Sequence, residues 1–103
     1  MNLTDKIELL KRMILKGHVK QSHIASETGL DKKNVSRLKM GIVKIENMRV
    51  HTAQSLIDYL DQHLKQLTDN YNIDVTLDVQ QIDNAFHIWI KNDNGDILEH
   101  LKY

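Results

Sequence analysis

The chain has 103 residues, 41% of them apolar and 27% charged, with no cysteine and no proline. That length holds one ordinary domain, or a small one with an appendage, and buries only a modest core. The missing cysteines exclude disulfides, thiolate catalysis and the common zinc-finger patterns, and no apolar run approaches the roughly 18 residues that read as a membrane helix. The opening segment, MNLTDKIELLKR, has neither the apolar core nor the cleavage site of a secretory signal, so a cytoplasmic location is expected.

Fourteen Lys/Arg balance fourteen Asp/Glu, but the two signs are segregated along the chain. Residues 1–50 carry eleven Lys/Arg against five acids, a net +6, and residues 51–103 carry three Lys against nine acids, a net −6. A basic half is the footprint of a surface that meets a polyanion. An acidic half repels DNA and suits a protein partner or a second copy of the chain.

In chain order, a first helix is expected from Thr4 or Asp5, because Asp5 and Glu8 have capping-box spacing. Ile7, Leu10, Met13 and Ile14 form its apolar stripe and Gly17 its stop. A short second helix over residues 21–27 turns Ile24 and Ala25 inward and ends before Gly29. Asp31 is placed to cap a third helix, residues 32–39, through a carboxylate that accepts from an amide two or three positions on. Val35 and Leu38 are the buried pair of that helix, and Gly41 ends it. After a loop over 42–48, Val50, Ala53, Leu56, Ile57, Leu60, Leu64 and Leu67 recur at helical steps, which predicts a long amphipathic helix over 49–67.

Beyond Asn70 the period changes from helix to strand. Ile73, Val75, Leu77 and Val79 alternate with polar residues. Phe86–Ile90 is a second strand and Ile97–Leu101 a third, with hairpin chemistry in Asn92–Asp96 between them. The expected class is mainly α, a bundle of four to five helices followed by a small antiparallel β unit, α+β overall. Its division is a helical domain over 1–68 and a β extension over 69–103.

Residues 21–41 carry the functional signal. Two short helices meet around Gly29, with small Ala25 where the third helix crosses and Ile24, Leu30, Val35 and Leu38 as the shared core. Lys32, Lys33, Ser36, Arg37 and Lys39 remain outward, a narrow cationic face with hydrogen-bonding tips suited to base edges. The segment resembles the Cro/C1-type (XRE family) helix-turn-helix, on the strength of Gln21, Ile24-Ala25, Gly29, Asp31, Val35-Ser36-Arg37-Leu38 and Gly41. The first helix and the Leu56/Leu60 helix also fall where that fold has them. The family often has an acidic residue where Lys39 stands, and often a proline in the following loop, which this chain lacks.

The resemblance implies that Gln21 hydrogen-bonds phosphate and braces the first base-contacting side chain. It turns Lys32, Lys33, Ser36 and Arg37 to the bases, with Arg37 the foremost candidate for bidentate recognition of guanine. Lys20, Lys39, Lys44 and Arg49 are placed for phosphate. Asn34 is a further candidate for base or phosphate, His23 approaches phosphate, and Lys6, Lys11 and Lys16 read as solvated charges. The implied function is a sequence-specific transcriptional regulator of phage, plasmid or bacterial type. It would repress as a homodimer whose recognition helices enter double-stranded DNA about 34 Å apart on a near-palindromic site.

A different class is also open. The β extension, residues 70–103, could bind and inhibit a protein partner, as in anti-CRISPR-type phage proteins, with the helix-turn-helix serving only autoregulation. The strand around Trp89, apolar on both faces, is expected to pack partly on the 49–67 helix and partly under a second subunit. His18, His23, His51, His63, His87 and His100 include no His-x-x-x-His pair, so no metal or other cofactor is expected. No nucleophile–base arrangement or phosphate-cradling glycine loop is present, and the chain does not read as an enzyme.

Overall fold

A computed structural model describes residues 1–42 and 47–103. Among the described residues four helices precede three strands: α1 (Leu3–Leu15), α2 (Gln21–Thr28), α3 (Lys32–Lys39), α4 (Val50–Asp69), β1 (Val75–Ile82), β2 (Ala85–Asn92) and β3 (Ile97–Lys102). The protein is therefore mainly helical with a small antiparallel sheet, an α+β arrangement. The chain divides into two compact units, Met1–Asp61 and Gln62–Tyr103, so the division falls inside α4. No helix among the described residues is long and apolar enough to cross a membrane.

In the first unit, α1 begins one turn earlier than its acids suggest. Asn2 is the N-cap, its side-chain oxygen accepting from the Asp5 amide at 2.8 Å. The Asp5/Glu8 capping box is thus replaced by an asparagine cap, and Glu8 turns to Arg12 at 3.1 Å and Lys11 at 3.7 Å. The buried stripe of α1 is Ile7, Leu9, Leu10, Met13 and Ile14. Leu9 widens the expected stripe, and Val19, in the link to α2, joins the core.

The helix ends follow from glycine. After α1 and after α3, Gly17 and Gly41 adopt φ of 76° and 74°, a left-handed conformation that a Cβ penalises. Each closes a Schellman pair. His18 and Gly17 amides donate to the Met13 and Ile14 carbonyls, and those of Ile42 and Gly41 to Arg37 and Leu38. The start of α3 is held by Asp31, which accepts from the Lys33 amide at 3.2 Å. Replacing Asp31 with Ala leaves that amide without its side-chain partner and is expected to cost ~0.5–2 kcal/mol, read as a lower melting temperature.

The core of the first unit takes Ile24 from α2, Val35 and Leu38 from α3, and Ala53, Leu56, Ile57 and Leu60 from α4. Val50 was expected in the α4 stripe but is 85% exposed. It is the first residue of the helix, before the turn at which the stripe meets the core. Leu64 and Leu67 are half-buried.

In the second unit the strands lie in the order β1-β2-β3, all antiparallel. β1 starts at Val75, opposite Asn92, rather than at Ile73, and runs on to Ile82, because its partner β2 begins at Ala85. Asp83 and Asn84 join them at φ of 50° and 65°, the two positive values of a type I′ turn. Asn92–Asp96 forms a longer loop in which the Asn92 side chain accepts from the amides of Asn94 and Asp96 at 3.0 and 2.9 Å. Beside it the ladder steps from Ile90↔Glu99 to Lys91↔Ile97, leaving Leu98 as an extra residue. Phe86, Ile88 and Ile90 are fully buried along one face of β2. The backbone of Phe86 exchanges two hydrogen bonds with Tyr103, at 2.7 and 2.8 Å.

Candidate nucleic-acid interface

α3 presents two opposed faces because of where its apolar residues fall. Val35 and Leu38, one turn apart, are at most 3% exposed and fix the helix to the core. At 3.6 residues per turn, Lys32, Ser36, Lys33 and Arg37 then share an arc of about 140° on the other side, with Lys39 and Asn34 at its two borders. Lys32, Lys33, Asn34 and Arg37 are exposed, while Ser36 and Lys39 are half-buried. α2 packs on α3, and between them Gly29 takes φ of 73° and donates its amide to the Ala25 carbonyl. Thr28 tightens this turn, its hydroxyl donating to the Ile24 carbonyl at 2.6 Å and accepting from the Leu30 amide at 3.3 Å.

The other expected contacts lie around this helix. Lys20, exposed, is the N-cap residue of α2, and half-buried Gln21 is its first helical residue. Arg49, exposed, precedes α4 and accepts from the Ala53 amide through its carbonyl. Asn34 and Arg49 line one cleft of about 210 Å³ between α3 and the start of α4, together with Leu30, Leu38 and Leu56. Leu30, expected in the core, is half-buried because it lines this cleft. Lys44 lies outside the described residues.

Electrostatically, the cations of α1 and α3 differ. Lys6 pairs with Asp61 at 3.3 Å, and Lys11 and Arg12 both pair with Glu8. These α1 lysines are tied rather than solvated charges. Lys11 also reaches the end of α3, where a Cβ on Gly41 would stand 3.2 Å from its Nζ. Among the described residues, no acid pairs with Lys20, Lys32, Lys33, Arg37, Lys39 or Arg49. The uncompensated positive charge of the first unit is therefore concentrated on α3 and its flanks.

His23 has a role that the spacing did not reveal. Its Nδ1 lies 2.5 Å from the Tyr59 hydroxyl, and its Nε2 faces Glu27 at 3.8 Å. A proton on Nε2 facing Glu27 leaves Nδ1 to accept from the Tyr59 hydroxyl, and this bond braces α2 against α4. His23 is thus engaged within the chain, while its side chain stays 58% exposed. The two residues are 36 positions apart, and only the packing of α2 beside α4 connects them.

Tyr59 is held above the usual phenol value of 10.0 by burial and then by the charge of Glu27. Tyr71 is raised too, first by its hydrogen bond to Glu99, and Tyr103 by burial. A folded-state value above the unfolded one stabilises the fold while the phenol is protonated, and this contribution is lost as pH rises through the folded value. Phenolate absorbance of the native protein is thus expected to rise above pH 10, and in denaturant to return to the ordinary value of 10.0. The tyrosine contribution to stability should hold at neutral pH and fall in the alkaline range.

Comparison with protein-family models, with curated proteins and with solved structures found no match to this chain.

Proposed function

We propose that residues 1–68 are a Cro/C1-type helix-turn-helix and that the protein is a sequence-specific DNA-binding regulator, acting as a repressor. The observation that carries this reading is α3. It is a short helix anchored by Val35 and Leu38, with Lys32, Lys33 and Arg37 exposed and unpaired among the described residues, in a unit whose α1 cations are paired. A helix of this width fits the major groove, and its Lys and Arg tips suit guanine O6 and N7. Lys20, Gln21, Lys39, Lys44 and Arg49 contact phosphate in this reading, and Ser36 and Asn34 supply neutral hydrogen-bonding groups beside the bases. The protein binds a near-palindromic site as a homodimer, and repression then requires no chemistry, only occupancy of a promoter.

The test is a titration of the protein onto double-stranded DNA from the region upstream of its own gene and onto scrambled DNA, at two salt concentrations. The native sequence is expected to bind more tightly by about 4 kcal/mol or more, with affinity falling steeply with salt through release of phosphate counterions. Equal, weak binding of both DNAs overturns the reading.

A further inference from the structure

The outward face of β2 and β3 gathers two histidines and the chain's single tryptophan. Trp89 stands opposite His100, and His87, two residues before Trp89, points to the same side. His87 Nδ1 lies 2.7 Å from His100 Nε2, with ring centres 5.0 Å apart and planes within 13°. The N···N bond plus one ring radius at each end accounts for that separation. The imidazoles therefore meet edge to edge in nearly one plane. The Trp89 ring centre lies 5.3 Å from His87 and 5.1 Å from His100, with planes within 11° of each. That is too close for rings side by side, so the indole lies parallel and offset against both.

We propose that His87 and His100 form a binding site for one divalent transition-metal ion of the kind imidazole favours, Cu2+ ahead of Ni2+ and Zn2+. Two imidazole nitrogens on adjacent corners of one metal, at ~2.0–2.1 Å each, stand about 2.9 Å apart. The observed 2.7 Å is close to that bite, and each ring swings by about 45° from the collinear arrangement to aim its lone pair at a shared ion. The hydrogen-bonded pair has a proton on one facing nitrogen. On metal binding that ring takes the tautomer with the proton on its far nitrogen, so both facing lone pairs reach the ion without net proton release. His100 is exposed and His87 half-buried, which gives the ion access from solvent, and water completes its coordination.

The surrounding charge favours a cation. Residues 62–103 carry Lys65, Lys91 and Lys102 against Asp69, Asp74, Asp78, Asp83, Asp93, Asp96 and Glu99. Asp78, opposite Trp89, is held by Lys91 at 3.6 Å and Gln80 at 3.1 Å and is not a third ligand. Among the described residues no three His, Cys, Asp or Glu side chains converge. The site is thus a pair of imidazoles that a strong chelator strips.

Trp89 supplies the readout, because Cu2+ and Ni2+ quench a neighbouring indole. CuCl2 titrated into the full chain at neutral pH is expected to quench its fluorescence saturably with one-site stoichiometry, reversed by EDTA, with ZnCl2 competing. His87→Gln and His100→Gln should each raise the midpoint about tenfold or more by removing the chelate, while His51→Gln leaves it unchanged. Quenching that never saturates, or whose midpoint in both variants equals that of the wild type, overturns the proposal. Circular dichroism of the metal-free variants checks folding. Should a variant not fold, electron paramagnetic resonance of the wild-type Cu2+ complex decides, two equatorial imidazole nitrogens being the expected result and one or none the contrary one.

Discussion

Arg37→Ala is expected to cost ~1–3 kcal/mol of binding to the native DNA and little on scrambled DNA, because a bidentate guanine contact is lost only where the guanine is present. Lys39→Ala, at the border of the outward arc, is expected to behave differently. It should weaken both DNAs alike and lower the salt slope by about one phosphate contact. The pair of variants therefore separates reading from positioning on a single helix. Arg37 is exposed and Lys39 half-buried, and neither belongs to the buried pair Val35 and Leu38, so melting temperatures measured beside the binding separate lost contacts from any loss of packing. Lys33→Ala should resemble Arg37→Ala, since Lys33 lies beside it in the same arc. If all three variants lose the same amount on both DNAs, α3 is a phosphate-binding helix and base reading lies elsewhere.

The second large effect is on stability. Phe86 is the only phenylalanine, fully buried at the start of β2, and its backbone bonds Tyr103 on both sides. Phe86→Ala removes a whole ring from a close-packed site and is expected to cost ~3–5 kcal/mol. A chain of this size has a total of roughly 5–15 kcal/mol, so the loss is about a fifth of it or more. Because Trp89 sits three residues away on the same strand, its near-ultraviolet signal reports the sheet, and the far-ultraviolet signal reports mainly the four helices. The variant should lose the Trp89 signal at markedly lower denaturant than the wild type. A midpoint shifted by less than about 1 kcal/mol would mean that the ring contributes little to the packing of β2.

Much of the secondary structure is written in period and punctuation. The helical steps of Leu56, Ile57 and Leu60 and the alternation of Val75, Leu77 and Val79 are local signals, and Asp31 and Gly41 bracket α3 where their chemistry requires. Boundaries were harder to read, because several residues compete for one role. Asn2, Thr4 and Asp5 are all competent N-caps, and Asn2 takes the role. The Asp83-Asn84 turn was missed because it lacks glycine, although Asn and Asp tolerate positive φ better than other side chains. The extra residue at Leu98 depends on how β3 pairs with β2, which no local pattern encodes.

The candidate interface was more legible than its supports. Exposed Lys32, Lys33 and Arg37 follow directly from a helix whose buried pair is Val35 and Leu38. The bond from His23 to Tyr59 does not, because it joins distant segments through tertiary packing. His87 and His100 are similar: thirteen residues separate them, and strand register alone brings their nitrogens together.

The neighbour-to-neighbour order of the sheet has a kinetic consequence. Each strand pairs only with the next one in sequence, through a two-residue turn and then a short loop. Every ladder contact closes a small ring of chain, so little configurational freedom is lost before pairing starts to be rewarded. The β1–β2 hairpin can zip outward from Asp83-Asn84 on the microsecond scale of isolated hairpins, roughly 1–10 μs, and offers β3 a formed edge. Refolding of the sheet, followed through Trp89, should accordingly be fast for a β structure and free of the slow phase that proline isomerisation imposes on many chains, since this one has no proline.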